Sequence, residues 1–114
     1  PSAQLPVTVE TPTLGQEAQP MTVTIDHDTA HSRFEIYVDS ELAGYSEYLE
    51  QDGVRTFHHT VTFPQFRGRG LAATLTEHAL NDTSTQGFRV VPTCWFVRDF
   101  IDAAGDRYAD LVEN

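Results

Sequence analysis

Alternation of apolar and polar residues runs through the middle of the chain and predicts a series of strands. The expected strands cover residues 21–25, 33–39, 43–50 and 55–63. In the last of these, alternation places His59 on the face of Phe57 and turns His58 to the other face. The pair Asp52-Gly53 predicts a tight hairpin before this strand, because Asp-Gly tolerates the positive φ that such a turn requires.

The apolar period lengthens to that of a helix after residue 70. Leu71, Leu75 and Ala79 fall on one side of a helix, which is expected to give way to a polar connection over residues 81–87. A short strand over 88–91 follows, and a second amphipathic helix is expected from Trp95 up to the C′ residue Gly105. The predicted order is β-β-β-β-α-β-α. It indicates an α+β fold with a mixed, mostly antiparallel sheet of about five to six strands and two main helices.

Residues 1–20 differ in composition from the rest of the chain. They are rich in Pro, Thr and Gln and contain four prolines, which argues against a helix. We interpret them as an extended N-terminal tail in which Val7 and Val9 contribute at most a short edge strand. Residues 21–114 are then expected to form one domain.

The charge balance limits the classes of partner. The chain contains seventeen acidic and seven basic residues, and its formal net charge is −10. All seven basic residues are arginine. This balance disfavours nucleic acid and favours a cationic partner. The single cysteine and the absence of a long apolar run predict a cytoplasmic protein without a membrane partner. We expect a monomer or a weak homodimer. His27 and His31 lie near two aspartates, but no further ligand fixes a geometry there, so no metal is expected.

One stretch combines glycine with positive charge at the junction of a predicted strand and helix. Arg67-Gly68-Arg69-Gly70 precedes the helix that begins near Leu71. Glycine allows the backbone to approach an anion closely, and the N–H groups and dipole of the helix favour negative charge at its N-terminus. The sequence therefore predicts a local phosphate site within an acidic protein.

The same stretch resembles the pyrophosphate-binding loop of the Gcn5-related N-acetyltransferases (GNATs), in particular a minimal single-domain branch of that superfamily. Further landmarks of that branch occur in order: Arg33-Phe34-Glu35, Ala43-Gly44, His59-Thr60, Pro92-Thr93-Cys94 and Tyr108-Ala109-Asp110-Leu111. The resemblance covers roughly residues 23–112. It implies transfer of an acetyl group from acetyl-CoA, the cosubstrate, to a primary amine of a small molecule or a protein lysine.

The resemblance also implies which residues bind the cosubstrate. The pyrophosphate is expected at six consecutive residues: Arg67, Gly68, Arg69, Gly70, Leu71 and Ala72. The pantetheine arm is expected along the backbone of Thr60, Val61 and Thr62, where an N–H group would also stabilise the oxyanion of the thioester carbonyl. One position departs from the branch, which commonly has Glu where this chain has Val61, so that a carboxylate base is missing there.

His59 and Cys94 are the candidates for the catalytic chemistry. The unperturbed pKa of histidine suits it to accept a proton from the attacking amine, but a structural role for His59 in the strand is an equal alternative. Cys94 is expected at a helix N-terminus, which favours a thiolate. It could accept the acetyl group, act as a polar group near the thioester sulfur, or be buried and inert. Direct attack by the amine in a ternary complex is the route that the superfamily implies.

A non-enzymatic module is the rival interpretation. Such a module would keep the CoA loop for sensing or structure and would recruit a basic partner through its acidic surface. The missing carboxylate at Val61 is the feature that favours it.

Overall fold

A single mixed sheet with two helices makes up the part of the chain that the computed structural model describes, residues 4–9 and 21–113. The strands are β1 (Gln4–Val9), β2 (Met21–Asp28), β3 (Arg33–Val38), β4 (Glu41–Gln51), β5 (Val54–Thr62) and β6 (Arg89–Pro92). The helices are α1 (Leu71–Thr85) and α2 (Trp95–Ala103), and two short 3-10 turns cover Thr29–His31 and Pro64–Phe66.

The strands lie in the sheet in the order of the sequence, from β1 to β6. Neighbours are antiparallel except β5 and β6, which are parallel and are joined by the crossover through α1. The predicted fold class, element order and edge strand are confirmed, since β1 pairs with β2 at one edge. Residues 10–20 lie outside the described residues, and the domain boundary at residue 20 stays a prediction.

The prediction that the first strand of the domain ends at residue 25 is wrong. β2 continues to Asp28, because Asp26, His27 and Asp28 pair with the first residues of β3. His27 is accommodated in this strand by a hydrogen bond of 2.5 Å between its Nε2 and the Tyr48 hydroxyl and by stacking on Phe34. A polar side chain with a partner can therefore occupy an inward-facing strand position.

The predicted alternation in β5 is also wrong at one point. Tyr48 pairs with Phe57 and Glu47 pairs with His59, so that His58 is the extra residue of a β-bulge. A bulge inverts the alternation beyond it. Phe57 is buried, whereas His59 is exposed on the other face of the sheet.

The two faces of the sheet differ in what covers them. The inner face carries Phe34, Ser46 and Thr60, which are cross-strand neighbours on β3, β4 and β5. Both helices lie on this side: the His78 ring of α1 meets Phe34 at 5.9 Å between ring centroids, and Cys94 at the start of α2 contacts Thr60. The outer face carries the cross-strand pair of Glu47 and His59, and His59 is exposed.

Helix α1 is longer than predicted and reaches Thr85 instead of giving way to a loop at residue 81. Its last turns are held by the buried guanidinium of Arg55, which donates to Asp82 at 2.8 Å and to Thr83 at 3.1 Å. These tertiary bonds outweigh the weak helix propensity of Asn, Asp, Thr and Ser in this segment. Helix α2 ends as predicted, with Gly105 at a φ of 70° just beyond it.

Candidate active site

Strands β5 and β6 separate at Phe57, and this fork is the centre of the candidate site. The last pair of the parallel ladder joins Phe57 to Pro92, and Pro92 has no N–H with which to continue it. The Phe57 carbonyl instead accepts hydrogen bonds from the backbone N–H groups of Thr93 (3.1 Å) and Cys94 (2.9 Å) and from the Thr93 hydroxyl (3.1 Å). The chain then leaves the sheet and enters α2.

Beyond the fork, β5 is paired on one side only. Thr60, Val61 and Thr62 pair with β4, and no described strand pairs with them on the side away from β4. The Thr62 carbonyl accepts a long hydrogen bond of 3.3 Å from Nε of Arg67. A half-paired strand of this kind can form backbone hydrogen bonds with an extended ligand.

The open strand leads through the Pro64–Phe66 turn to the glycine loop at the N-terminus of α1. Gly68 and Gly70 have φ values of 81° and 72°, which side chains other than glycine adopt only at a cost. A Cβ atom at either glycine would meet no heavy atom within 4 Å, so the loop is open above both residues. The Gly70 carbonyl accepts the first bond of the helix, from Thr74, and the preceding helical N–H groups face the loop.

A cleft of about 290 Å³ lies between this loop and α2. Its walls are formed by Thr62, Phe66, Arg67, Gly68, Gly70, Leu71, Ala72, Ala73 and Phe96. The cleft thus joins the open end of β5 to the N-terminus of a 15-residue helix. That arrangement suits a ligand with an anionic part at the loop and an extended polar arm along the strand.

The family of the chain follows from these features together with its sequence. Residues 33–111 match the model of the family described as GCN5-related N-acetyl-transferase. The chain belongs to the GNAT family. No curated protein matches the chain in a search of such proteins. Family membership indicates acyl transfer from acyl-CoA.

The residues present fit the acyl-CoA ligand of a GNAT protein. Of the predicted cofactor-binding residues, Thr62, Arg67, Gly68, Gly70, Leu71 and Ala72 line the cleft. Thr60 lies deeper, at the fork, and Val61 turns to the outer face with Tyr45, its partner on β4. The guanidinium of Arg69 lies 5.5 Å from the centre of the Phe66 ring. Three apolar wall residues, Phe66, Ala73 and Phe96, were not predicted from the sequence, because helical and turn periodicity does not distinguish a cleft wall from a core.

Cys94 lies at the base of the fork. It is the N-cap residue of α2, its side chain is buried, and its Sγ lies 3.7 Å from Oγ1 of Thr60. Oγ1 of Thr60 is also 3.1 Å from Oγ of Ser46, which is fully buried. The thiol therefore belongs to a short row of hydroxyl groups on the inner face and has little direct access to solvent.

His59 lies on the outer face, opposite Cys94. Its ring is exposed, with its centre 6.2 Å from that of Tyr45, and its cross-strand partner is Glu47. The structure therefore does not bring the two predicted catalytic side chains together. It places them on either side of the open part of β5, along which a pantetheine arm would run.

Three further observations concern metal sites, membrane-spanning helices and Tyr108. Among residues 4–9 and 21–113, no group of three His, Cys, Asp or Glu side chains has the arrangement of a metal site. The imidazole of His31 bonds to Asp28 at 2.8 Å instead. No helix in the described part of the chain is both long and apolar enough to cross a membrane. Tyr108 packs against Phe100, and its hydroxyl is buried without a hydrogen-bond partner.

Proposed function

We propose that this GNAT protein transfers an acetyl group from acetyl-CoA to a primary amine by direct attack within a ternary complex. The observation that carries the proposal is the continuity between the open edge of β5, the glycine loop and the N-terminus of α1. A pantetheine arm would bond to the backbone of residues 60–62, and the pyrophosphate would lie at residues 67–72.

In this assignment each part of the site has a separate task. The loop N–H groups and the dipole of α1 bind the diphosphate, and the cleft walls from Leu71 to Ala73 hold the ligand away from water. A backbone N–H of β5 stabilises the oxyanion that develops on the thioester carbonyl. His59 accepts the proton that the ammonium form of the acceptor must lose before its nitrogen becomes a nucleophile.

The proposed reaction balances without a covalent enzyme intermediate. The ammonium group gives one proton to His59, and the amine nitrogen forms a bond to the thioester carbon. The carbon–sulfur bond breaks, the CoA thiolate takes a second proton from the nitrogen, and His59 releases its proton to solvent. Cys94 is a polar neighbour of the reacting group in this scheme, because its buried thiol already points at a hydroxyl group.

The experiment is a panel of amines incubated with acetyl-CoA and the protein, with release of CoA and the mass of the acetylated product as the two measurements. The panel should include polyamines, lysine peptides and neutral amines. We expect CoA release and an acetylated amine for at least one cationic acceptor. Binding of acetyl-CoA with no release across the panel would contradict the proposal and support the non-catalytic module.

A further inference from the structure

The carbonyl group of Thr62 points away from β4, towards the open side of β5. In a strand, the N–H and C=O groups of successive residues point to opposite sides. The Val61 carbonyl faces Gly44 on β4, and the Phe63 N–H donates to the Ala43 carbonyl at 2.9 Å. Thr62 lies between Val61 and Phe63, so its own N–H and C=O groups face the other way, where Thr62 is a wall residue of the cleft.

The side chain of Arg67 occupies this carbonyl group. Its Nε donates to the Thr62 oxygen at 3.3 Å, which is longer than the usual range of about 2.7–3.2 Å for such bonds. Arg67 is exposed, and it is a wall residue of the same cleft. A long hydrogen bond from an exposed side chain contributes little free energy, so a stronger partner can replace it. We call this bond the Arg67 latch.

Arg67 has no carboxylate partner within residues 4–9 and 21–113. The arginines that form ion pairs with carboxylates are Arg33, Arg55, Arg89 and Arg107. The terminal nitrogens of Arg67, Nη1 and Nη2, donate no hydrogen bond to a described residue. Its guanidinium is therefore a cation at the cleft whose charge is available to an anionic ligand, in a chain of net charge −10.

We propose that Arg67 is a specificity residue for the acyl donor and that the Arg67 latch closes the open edge of β5 to acyl donors without a diphosphate. In the presence of a diphosphate, Arg67 exchanges the Thr62 oxygen for a charge-assisted hydrogen bond. The Thr62 carbonyl is then free to accept a hydrogen bond from an amide N–H of the pantetheine arm. This inference rests on the proposed function, because it uses the placement of acetyl-CoA along residues 60–72.

The selection follows from the unequal strength of the two contacts of Arg67. A hydrogen bond between a guanidinium and a phosphate joins two charged groups and is stronger than one to a neutral carbonyl oxygen. The exchange is therefore favourable for an acyl donor that carries the diphosphate. A pantetheine thioester without phosphate has to displace Arg67 from Thr62 and offers it no anionic partner in return.

The test compares Arg67→Ala with the wild-type protein and with Arg98→Ala. Arg98 is a matched control, because it is exposed and donates to the carbonyl of Thr93 at 3.4 Å but is not a wall residue of the cleft. Calorimetry measures Kd for acetyl-CoA and for S-acetylpantetheine, which has no phosphate. We expect Arg67→Ala to raise Kd for acetyl-CoA roughly tenfold and to lower Kd for S-acetylpantetheine about threefold. Arg98→Ala should leave both values within about twofold of the wild type.

An NMR titration with inorganic pyrophosphate examines the latch without an acyl donor. We expect pyrophosphate to shift the carbonyl carbon signal of Thr62 in the wild type and in Arg98→Ala, and to leave that signal unchanged in Arg67→Ala. An unshifted Thr62 signal in the wild type would overturn the Arg67 latch.

The two affinities separate failure of this inference from failure of the proposed function. An unchanged Kd for acetyl-CoA in Arg67→Ala would contradict the placement of the diphosphate on which the proposed function depends. Weaker binding of acetyl-CoA together with an unchanged or raised Kd for S-acetylpantetheine would overturn the latch alone, since Arg67 would then bind phosphate without releasing Thr62.

Discussion

The thiol of Cys94 lies 3.7 Å from the hydroxyl of Thr60, and this contact connects the N-cap residue of α2 to the open part of β5. It crosses the fork at the point where the two strands separate. In the proposed reaction, a cysteine that is buried and directed at a hydroxyl group is a polar neighbour of the bound thioester rather than an exposed nucleophile. The expected effect of substituting Cys94 on the rate of acetyl transfer differs between these two roles.

We predict that Cys94→Ser keeps acetyl transfer within about tenfold of the wild-type kcat, because serine can still form a hydrogen bond with Thr60. Cys94→Ala should be slower than Cys94→Ser. Mass spectrometry of the wild-type protein incubated with acetyl-CoA alone should show no acetyl group on Cys94. An acetylated Cys94, together with a loss in Cys94→Ser of about a thousandfold or more, would instead establish a covalent route.

Gly44 should tolerate no side chain. A Cβ atom on this residue would lie 2.3 Å from the Val61 carbonyl oxygen, a backbone atom of the neighbouring strand that cannot move aside. We predict that Gly44→Ala lowers the free energy of unfolding by about 1–3 kcal/mol, as overpacking does elsewhere. Urea denaturation measures this loss. A loss below about 0.5 kcal/mol, the range of ordinary surface substitutions, would show that β4 and β5 are not paired as described.

We expect the free energy of unfolding to decrease as the pH is lowered, in a window set by the partly buried side chains of His27 and His78. Burial lowers the pKa of His27 below 6.5, and although Asp82 opposes this effect, the net shift is downward. Burial also lowers the pKa of His78. Because the unfolded chain binds these protons more readily, the stabilisation is complete above pH 6.5 and is lost as the pH falls through the lowered pKa values.

We therefore predict a lower free energy of unfolding at about pH 5 than at about pH 8, with a smaller difference between the two in His27→Gln. His58→Gln is the matched control for replacing a histidine, since His58 is exposed at the bulge. Denaturation curves at both pH values provide the measurement. An unchanged difference in His27→Gln would contradict the role of His27.

The parts of the site that could be predicted from the sequence depend on local rules. A glycine loop at residues 67–70, a helix that begins near Leu71 and a helix that ends at Gly105 follow from glycine content and apolar period. The resemblance of this loop to the pyrophosphate-binding motif of the GNAT family then implied acetyl-CoA as its ligand. These features require no knowledge of which distant residues meet.

The parts that could not be predicted depend on pairing between distant residues. The bulge at His58 is specified by the register of β4 against β5, and alternation alone therefore placed His59 on the wrong face. The extension of α1 depends on Arg55, which is 27 residues from Asp82 in sequence. The pair of Glu47 and His59 follows from the same register and has no local signal.

The most direct test of the central claim is calorimetric titration of acetyl-CoA into Gly70→Glu and its matched control Gly53→Glu. Both glycines have positive φ, 72° and 77°, and open space at Cβ, so both variants carry the same charge and a similar backbone strain of about 1–2 kcal/mol. Only Gly70 lies at the loop. We predict that Gly53→Glu binds acetyl-CoA like the wild type and that Gly70→Glu, while still folded, loses at least about a hundredfold in affinity. Equal affinity in the two folded variants would contradict binding of the pyrophosphate at residues 67–72.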